Sequence, residues 1–288
     1  MILVADSGST KADWALIRPD GSVTHAHTMG LNPYFHGPDK VESVLSAPEF
    51  VEVIPVQEID VLHFYGAGCP DEHFCSIMRA GLERVFTRAR IEVEHDLLGA
   101  ARATCGRKPG ISGILGTGSN SCRYDGSRVV DNIPALGHVL GDDGGGVHLG
   151  RLVLRAWYYR ELPSELEQDF NTLWPEGKDS VLHRIYGEEG QNVHIAKFAQ
   201  FLVKHREHPF ARKLIDSALR EFAVRQLKKY DKWQETEVNL VGSIAELLSK
   251  EVREVFASEG LRIGRIIRKP IDSLVEFHRE ALHGDTRA

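Results

Sequence analysis

Near its start the chain reads Ile2-Leu3-Val4-Ala5-Asp6-Ser7-Gly8-Ser9-Thr10-Lys11, followed by Ala12-Asp13-Trp14-Ala15-Leu16-Ile17. Ile2 to Val4 has the composition of a short buried strand, Asp6 to Lys11 has turn chemistry, and Ala12 to Ile17 resumes an apolar run. Asp20-Gly21 comes next, a dipeptide that favours a tight hairpin because Gly adopts positive φ without steric cost, and Val23 to Thr28 reads as a third strand. The sequence therefore opens on a meander of three antiparallel strands.

The same pattern recurs about 110 residues later. Gly113 to Leu115 is apolar, Gly116-Thr117-Gly118-Ser119 is turn-like, Ser121 to Tyr124 can form a strand, Asp125-Gly126 is a second hairpin signal, and Val129-Val130 opens another strand. Two copies of one supersecondary unit point to an internal repeat.

After each meander the pattern alternates strand and helix. Val61 to Tyr65 reads as a strand, Asp71 to Arg88 as an amphipathic helix, Ile91 to Val93 as a strand, and a helix begins at Asp96. In the second half, helices are expected at Gly145 to Leu162, Val193 to His205, Phe210 to Trp233 and Ser243 to Ser258. Strands are expected at Val238 to Val241 and Arg262 to Ile267, with a last helix from Pro270. In the Phe210 helix, Leu214, Ile215, Ala218, Leu219, Phe222, Ala223 and Leu227 keep helical spacing and read as core. This is an α/β protein of two similar lobes. Gly106-Arg107-Lys108-Pro109-Gly110 reads as a linker, dividing an N-terminal lobe, 1–108, from a C-terminal lobe, 109–288.

The 288 residues carry 35 Lys plus Arg against 41 Asp plus Glu, a net charge of −6. An acidic chain lacks the basic excess that draws proteins to nucleic acid or anionic membrane, so a small ligand is the expected partner. The apolar run at the N-terminus is stopped at once by Asp6, which predicts neither a signal peptide nor an anchor, and no apolar stretch reaches membrane-spanning length. A cytoplasmic protein is expected. Cys69, Cys75, Cys105 and Cys122 contain no Cys-x-x-Cys pair, which argues against zinc and iron-sulfur sites and for buried free thiols.

Two Gly-rich turns offer backbone amides to an anion, and facing each other across a cleft they would grip a polyphosphate. In the first, Gly8 permits close approach, Ser9 and Thr10 offer hydroxyls, Lys11 adds charge, and Asp6 suits a magnesium ion held through water. Turn chemistry alone fits an ordinary hairpin equally well. The second turn, Gly116-Thr117-Gly118-Ser119-Asn120, lacks the Lys-Ser/Thr ending of a Walker loop, and neither turn opens directly into a long helix as a dinucleotide fingerprint does.

Asp6-x-Gly8-x-Thr10-Lys11, Gly116-Thr117-Gly118-Ser119-Asn120 and Val241-Gly242-Ser243 resemble the phosphate-1, phosphate-2 and adenosine motifs of the actin, hsp70 and sugar-kinase superfamily. Within it, Gly113 to Asn120 followed by Gly137-His138-x-x-Gly141-Asp142-Asp143-Gly144 is similar to the N-acetylglucosamine kinases of the BadF/BadG/BcrA/BcrD ATPase family. The resemblance spans nearly the whole chain with the motifs in order. It implies a duplicated, ribonuclease-H-like (actin-like ATPase) fold, two lobes around a nucleotide cleft. It implies an ATP-dependent, magnesium-requiring kinase acting on the 6-hydroxyl of an amino sugar, foremost N-acetylglucosamine, with glucosamine or N-acetylmuramic acid as alternatives. An ATP-hydrolysing switch or activator protein is the alternative from another functional class.

By the same resemblance Asp96 holds the sugar and accepts its proton, a role that needs a carboxylate at a strand's end; helix capping is the competing role for this residue. His95, just before the helix start, is expected to point away. Asn32 contacts sugar hydroxyls, or else belongs to an Asn-Pro turn, and Gly137 to Asp142 form a substrate loop in which Asp142 grips a hydroxyl. Asp142 and Asp143 together could instead hold a cation. Gly242-Ser243 meets the adenosine or its phosphates, with a plain N-cap at Ser243 as the alternative. ATP binding is thus expected at Asp6, Gly8, Ser9, Thr10, Lys11, Gly116, Thr117, Gly118, Ser119, Gly242 and Ser243. Gly66-Ala67-Gly68 resembles a cleft-floor segment, small-residue packing being its plainer reading. Ser7 departs from the Gly more usual there, and Ala135 and Leu136 replace residues that are Gly and aromatic in the vertebrate-type kinase. The helix from Pro270 is a candidate to pack on the N-terminal lobe, and Trp157 to Tyr159 belong either to core or to a homodimer face.

Overall fold

The computed structural model describes residues 1–8 and 10–284. Among the described residues ten strands form two five-stranded sheets. They are β1 (Ile2–Ser7), β2 (Lys11–Ile17), β3 (Val23–Met29), β4 (Val61–Gly66), β5 (Arg90–His95), β6 (Gly110–Leu115), β7 (Ser119–Tyr124), β8 (Val129–Asp131), β9 (Glu237–Val241) and β10 (Arg262–Ile267). The first sheet has the order β3-β2-β1-β4-β5, and the second, read from its edge strand, β8-β7-β6-β9-β10. In both, the first three strands are antiparallel neighbours and the last two run parallel to the central one. The two sheets therefore repeat one topology, strand for strand.

The helices are α1 (Pro38–Leu45), α2 (Pro48–Val51), α3 (Glu72–Val85), α4 (Asp96–Cys105), α5 (Gly137–Leu140), α6 (Gly146–Tyr158), α7 (Ser164–Leu173), α8 (Gly177–Gly187), α9 (Gln191–Lys197), α10 (Ala199–Lys204), α11 (Pro209–Arg225), α12 (Ser243–Leu247), α13 (Ser249–Ser258) and α14 (Ile271–Gly284). α3 starts where Asp71 accepts a hydrogen bond from the Phe74 amide at 3.1 Å, satisfying one of the amides a helix start leaves open. The stretch expected as one helix over Ser243 to Ser258 breaks at Leu248, Val193 to His205 breaks at Phe198, and α11 ends at Arg225 before a 3-10 turn at Leu227–Lys229. α1, α2, α5, α7 and α8 are additions to the elements expected from sequence. Among the described residues no helix is long and apolar enough to cross a membrane.

The chain divides into two compact units, residues 1–108 with 126–128 and 269–288, and residues 109–125 with 129–268. Each has its own core. In the first, the Trp14 ring on β2 meets Phe50, Phe64 and Phe86 at centroid distances of 5.1, 5.9 and 6.4 Å. In the second, the tilted rings of Trp157 and Phe170 meet at 4.7 Å, with Phe201, Phe222 and Phe256 buried in the same core. Trp157 is thus core, while Tyr159 beside it is exposed. Burying each such side chain contributes about 2–3 kcal/mol. Among the described residues none of the four cysteines is in a disulfide; Cys69, Cys75 and Cys122 are buried and Cys105 is half-buried.

The last helix, α14, packs on α4, β1 and β2 of the first unit. Its His278 is buried, with Nε2 3.0 Å from the Tyr65 hydroxyl and its ring stacked on His63 at 3.8 Å. Burial, reinforced by His63, Arg102 and Arg107, pushes its pKa from 6.5 down to about 2. The folded state keeps this ring neutral while the unfolded chain protonates it below about pH 6.5. Its contribution to stability is complete above that pH and is lost as the pH falls. The melting temperature should therefore drop more between pH 7 and pH 5 in the wild type than in His278→Gln, measured by circular dichroism.

Candidate active site

In the first unit the parallel strands β1, β4 and β5 end side by side, the register pairing Ser7 with Gly66 and Gly66 with His95. Asp6, Gly66 to Gly68 and Asp96 are brought together at this edge, the carboxyl ends of the strands, where open α/β sheets bind ligands. The Ser7 hydroxyl accepts from the Leu31 amide at 2.9 Å and lies 3.1 Å from the Leu31 carbonyl, while the Ser7 carbonyl accepts from the Ala67 amide at 2.8 Å. The serine side chain thus ties the end of β1 to the segment bearing Asn32, while its main chain ties it to the segment bearing Gly68. Asn32 is buried, and its Oδ1 accepts from the Tyr34 amide at 3.0 Å. Gly68 has φ of 81°, and a Cβ there would stand 2.2 Å from Asn32 Oδ1, so glycine is required on both counts.

Asp6 stands opposite Asp13 in the β1–β2 register. Withdrawal from water, followed by the neighbouring carboxylates of Asp96 and Asp13, raises the Asp6 pKa to about 7. Asp13, buried in an otherwise apolar strand, is held by Lys269 Nζ at 3.1 Å, Lys11 Nζ at 3.3 Å and His27 Nδ1 at 2.8 Å. Burial opposes its ionisation, but the bonds to Lys269 and Lys11 outweigh it and hold its pKa low. Asp13 escaped the sequence reading, although a carboxylate between Ala12 and Trp14 in an apolar run was a signal that it had a buried partner. The Lys11 ammonium is engaged with this carboxylate. Three carboxylates against two lysines leave Asp6 as the group that gains from an added cation, so the donor set fits a hydrated magnesium ion.

The β1–β2 turn is closed by the Gly8 amide donating to the Lys11 carbonyl at 3.0 Å. A Cβ at Gly8 would make only an ordinary contact, 3.6 Å from that carbonyl, so the chain's own packing does not require glycine there. Gly8, Thr10 and Lys11 are exposed, and Ser9 lies outside the described residues.

Asp96 is the first residue of α4, and His95 is its N-cap. Contrary to the sequence expectation, the His95 ring does not point away: its Nδ1 is 2.7 Å from Asp96 Oδ1 and 3.0 Å from the Leu97 amide. Burial works against a charge on His95, but the hydrogen bond and charge of Asp96 prevail and raise its pKa.

The second unit builds its loop on the same strand–turn–strand frame. The Gly116 amide donates to the Gly118 carbonyl at 3.0 Å, and the Gly116 and Thr117 carbonyls accept from the Gly146 and Val147 amides at 2.8 Å each. Asp142, buried at a φ of 60°, accepts from the Ser119 amide at 3.0 Å through Oδ1. Burial raises its pKa against that hydrogen bond. Among the described residues no group takes the Thr117 and Gly118 amides, and the buried Ser119 hydroxyl lacks a hydrogen-bond partner. A Cβ at Gly116 would meet nothing within 4 Å. Open amides beside an open face are the donor set of a phosphate nest.

Small residues let this loop close up. A Cβ at Gly118 would strike Asp142 Oδ1 at 2.4 Å, one at Gly145 the Gly118 carbonyl at 2.6 Å, and one at Gly242 the Leu115 carbonyl at 2.2 Å. Gly242, with φ of 130°, is itself the N-cap of α12, and the exposed Ser243 is the first helical residue, not the cap. Gly137, with φ of 69°, is exposed on the segment leading to Asp142. Asp142 is turned to the phosphate-type loop and is not paired with Asp143. Asp143, His148 and Glu221 place one ligand atom each within 4.8 Å of the others. The Gly144 amide donates to His148 Nδ1 at 3.1 Å, which occupies that nitrogen and leaves the ring proton on Nε2, so neither nitrogen is open to a cation.

The whole chain has the fold of known kinases. It is similar to a proposed N-acetylglucosamine kinase from Porphyromonas gingivalis, with 32% identity, a TM-score of 0.92, and coverage of 97% of this chain and 99% of that one. A second proposed N-acetylglucosamine kinase, from Chromobacterium violaceum, shares the fold at 17% identity and a TM-score of 0.72, covering 96% and 98% of the two chains. A ROK family glucokinase from Streptomyces griseus, solved with glucose and AMPPNP, does so at 15% identity and a TM-score of 0.58, covering 96% and 97%. No protein-family model matches the chain, and no curated protein matches it.

The raised pKa of Asp6 sets a stability test. The folded state keeps a proton on Asp6 that the unfolded chain, with a pKa of 3.8, has released, so stability falls as pH rises through the interval up to about 7. Asp6→Asn should unfold like the wild type near pH 4 and be more stable than it at pH 8 by roughly 1–3 kcal/mol in urea titrations, a range discounted for partial exposure.

Proposed function

Because this chain belongs to the family of N-acetylglucosamine-kinase-like proteins with the actin-like, two-domain α/β fold, we propose that it is an ATP-dependent sugar kinase. Its substrate in this reading is an amino sugar, foremost N-acetylglucosamine, phosphorylated at the 6-hydroxyl. The observation that carries the reading is the 32% identity over 97% of the chain to a protein proposed to have that activity. The motifs quoted from the sequence agree with it and extend it to the BadF/BadG/BcrA/BcrD ATPases.

In this proposal the Gly8 to Lys11 and Gly116 to Ser119 loops bind the phosphates of ATP, and Gly242 and Ser243 border the adenosine. Asp6 would hold a magnesium ion through water, and that ion would supply positive charge against the phosphates of ATP. Asn32, Gly137 and Asp142 contact the sugar, Asp142 through the carboxylate oxygen that the Ser119 amide leaves available. Asp96 orients the acceptor hydroxyl and takes its proton while that oxygen attacks the γ-phosphorus and the bond to ADP breaks. Buried backbone donors that are already in place need no reorganisation when charge develops, which is the usual source of phosphoryl-transfer catalysis.

ADP release by the purified protein with magnesium and ATP tests this, with and without N-acetylglucosamine, glucosamine, glucose, N-acetylmannosamine and N-acetylmuramic acid. Stimulation by N-acetylglucosamine is expected. Asp96→Asn should lower the stimulated rate by roughly 10²–10⁴-fold, the worth of a general base, while ATP affinity measured by calorimetry stays within about twofold. Sugar-independent ATP hydrolysis would overturn the assignment in favour of an ATP-driven switch.

A further inference from the structure

We infer that His95 is a positioning residue for Asp96: its Nδ1 carries a proton to Asp96 Oδ1 and so presents the other carboxylate oxygen to the acceptor hydroxyl. The inference rests on the kinase reading for its consequence and on local geometry for its existence. Asp96 Oδ1 is fully buried and has no hydrogen-bond partner among the described residues, and His95 Nδ1 lies 2.7 Å from it. Two bare lone pairs do not stand at that distance in a buried site, so a proton lies between them. The Leu97 amide donates to the same nitrogen at 3.0 Å, a bond that needs Nδ1 unprotonated. The amide and the carboxylate therefore compete for one atom.

The carboxylate is the stronger competitor. A hydrogen bond to an ionised acceptor is about twice as strong as a neutral one, and the Leu97 amide belongs to the first turn of α4, where amides have no partner within the helix. The Asp96 side chain keeps a quarter of its exposure although Oδ1 has none, so the accessible part is the Oδ2 side. Asp6 on β1 and Cys69 after β4 interact with Asp96 from other elements, and neither is a cation that could hold Oδ1 in place of His95. In the proposed reaction the sugar O–H bond breaks and its proton passes to Oδ2. The new O–P bond forms, the electron pair of the broken P–O bond leaves with ADP, and the Nδ1 proton stays on His95 throughout. A misplacement of a catalytic group by about 1 Å can cost on the order of 10²-fold in rate, which is the scale of what His95 prevents.

Three substitutions separate donating from capping. His95→Asn keeps a donor within reach of Oδ1, His95→Asp keeps the N-cap acceptor but has no donor, and His95→Ala has neither. We expect kcat for the sugar-stimulated reaction to fall roughly 10–100-fold in the Asp and Ala variants with KM for ATP unchanged, and to recover to within about threefold of wild type in the Asn variant. If His95→Asp retains wild-type kcat, or if His95→Asn is as slow as His95→Ala, the inference is wrong and His95 is only a cap. Imidazole ¹⁵N spectra of the wild type without any substrate give an independent reading: a protonated Nδ1 supports the dyad, and a bare Nδ1 overturns it. A wild type that lacks sugar-stimulated ADP release would sink the kinase reading, and the spectra would still decide the dyad.

Discussion

The way one strand is shared between two kinds of neighbour governs each half of this molecule. β1 pairs antiparallel with β2 on one side and parallel with β4 on the other, and β6 does the same with β7 and β9. An antiparallel neighbour needs only a tight turn, so a short polar loop sits at the end of the central strand. A parallel neighbour needs a crossover, so the next strand ends at the same edge as the first and hands its terminal residues to the same place. The turn brings backbone amides and the crossovers bring side chains. Asp6, Gly68 and Asp96 in one unit, and Gly118, Asp142 and Gly242 in the other, follow from this single arrangement.

The two units use the frame differently. The first keeps ionisable groups at its strand ends: the three carboxylates of Asp6, Asp13 and Asp96 outnumber the two ammonium groups of Lys11 and Lys269. The second presents mostly backbone there, and its Asp142 carboxylate is taken up in part with holding the loop. Ionisable side chains and open backbone amides are thereby allotted to separate copies of one sheet topology, and the residues at the strand ends are what set the two apart.

Much of this was legible in the sequence where local chemistry decides the backbone. The Asp20-Gly21 and Asp125-Gly126 hairpins, the Gly-rich turns and the alternation of strand and helix gave the two α/β sheets in their order. What stayed hidden depends on contacts between residues far apart in the chain. The Ser7 hydroxyl reads as a departure from glycine until Leu31 is seen beside it, and Asp13 reads as an interruption of a strand until Lys269 arrives from 256 positions away. His95 illustrates the same limit at short range, because helix capping is visible in sequence but the direction of a ring is not. α7 and α8 were missed since their apolar stripes are narrow, with Leu166 and Phe170 buried in one and Val181 and Ile185 in the other.

The placement of α14 has a consequence for how the protein is made. The first unit takes in residues from 269 onward, while the second unit ends at Arg268. A ribosome delivering the chain from its N-terminus therefore finishes the second unit before it has supplied the helix that covers β1, β2 and α4 of the first. Until His278 and Arg279 emerge, Tyr65 lacks its imidazole partner and the Gly21 carbonyl its guanidinium. The half synthesised first is thus the half completed last, and it must wait, partly uncovered, through the translation of the other.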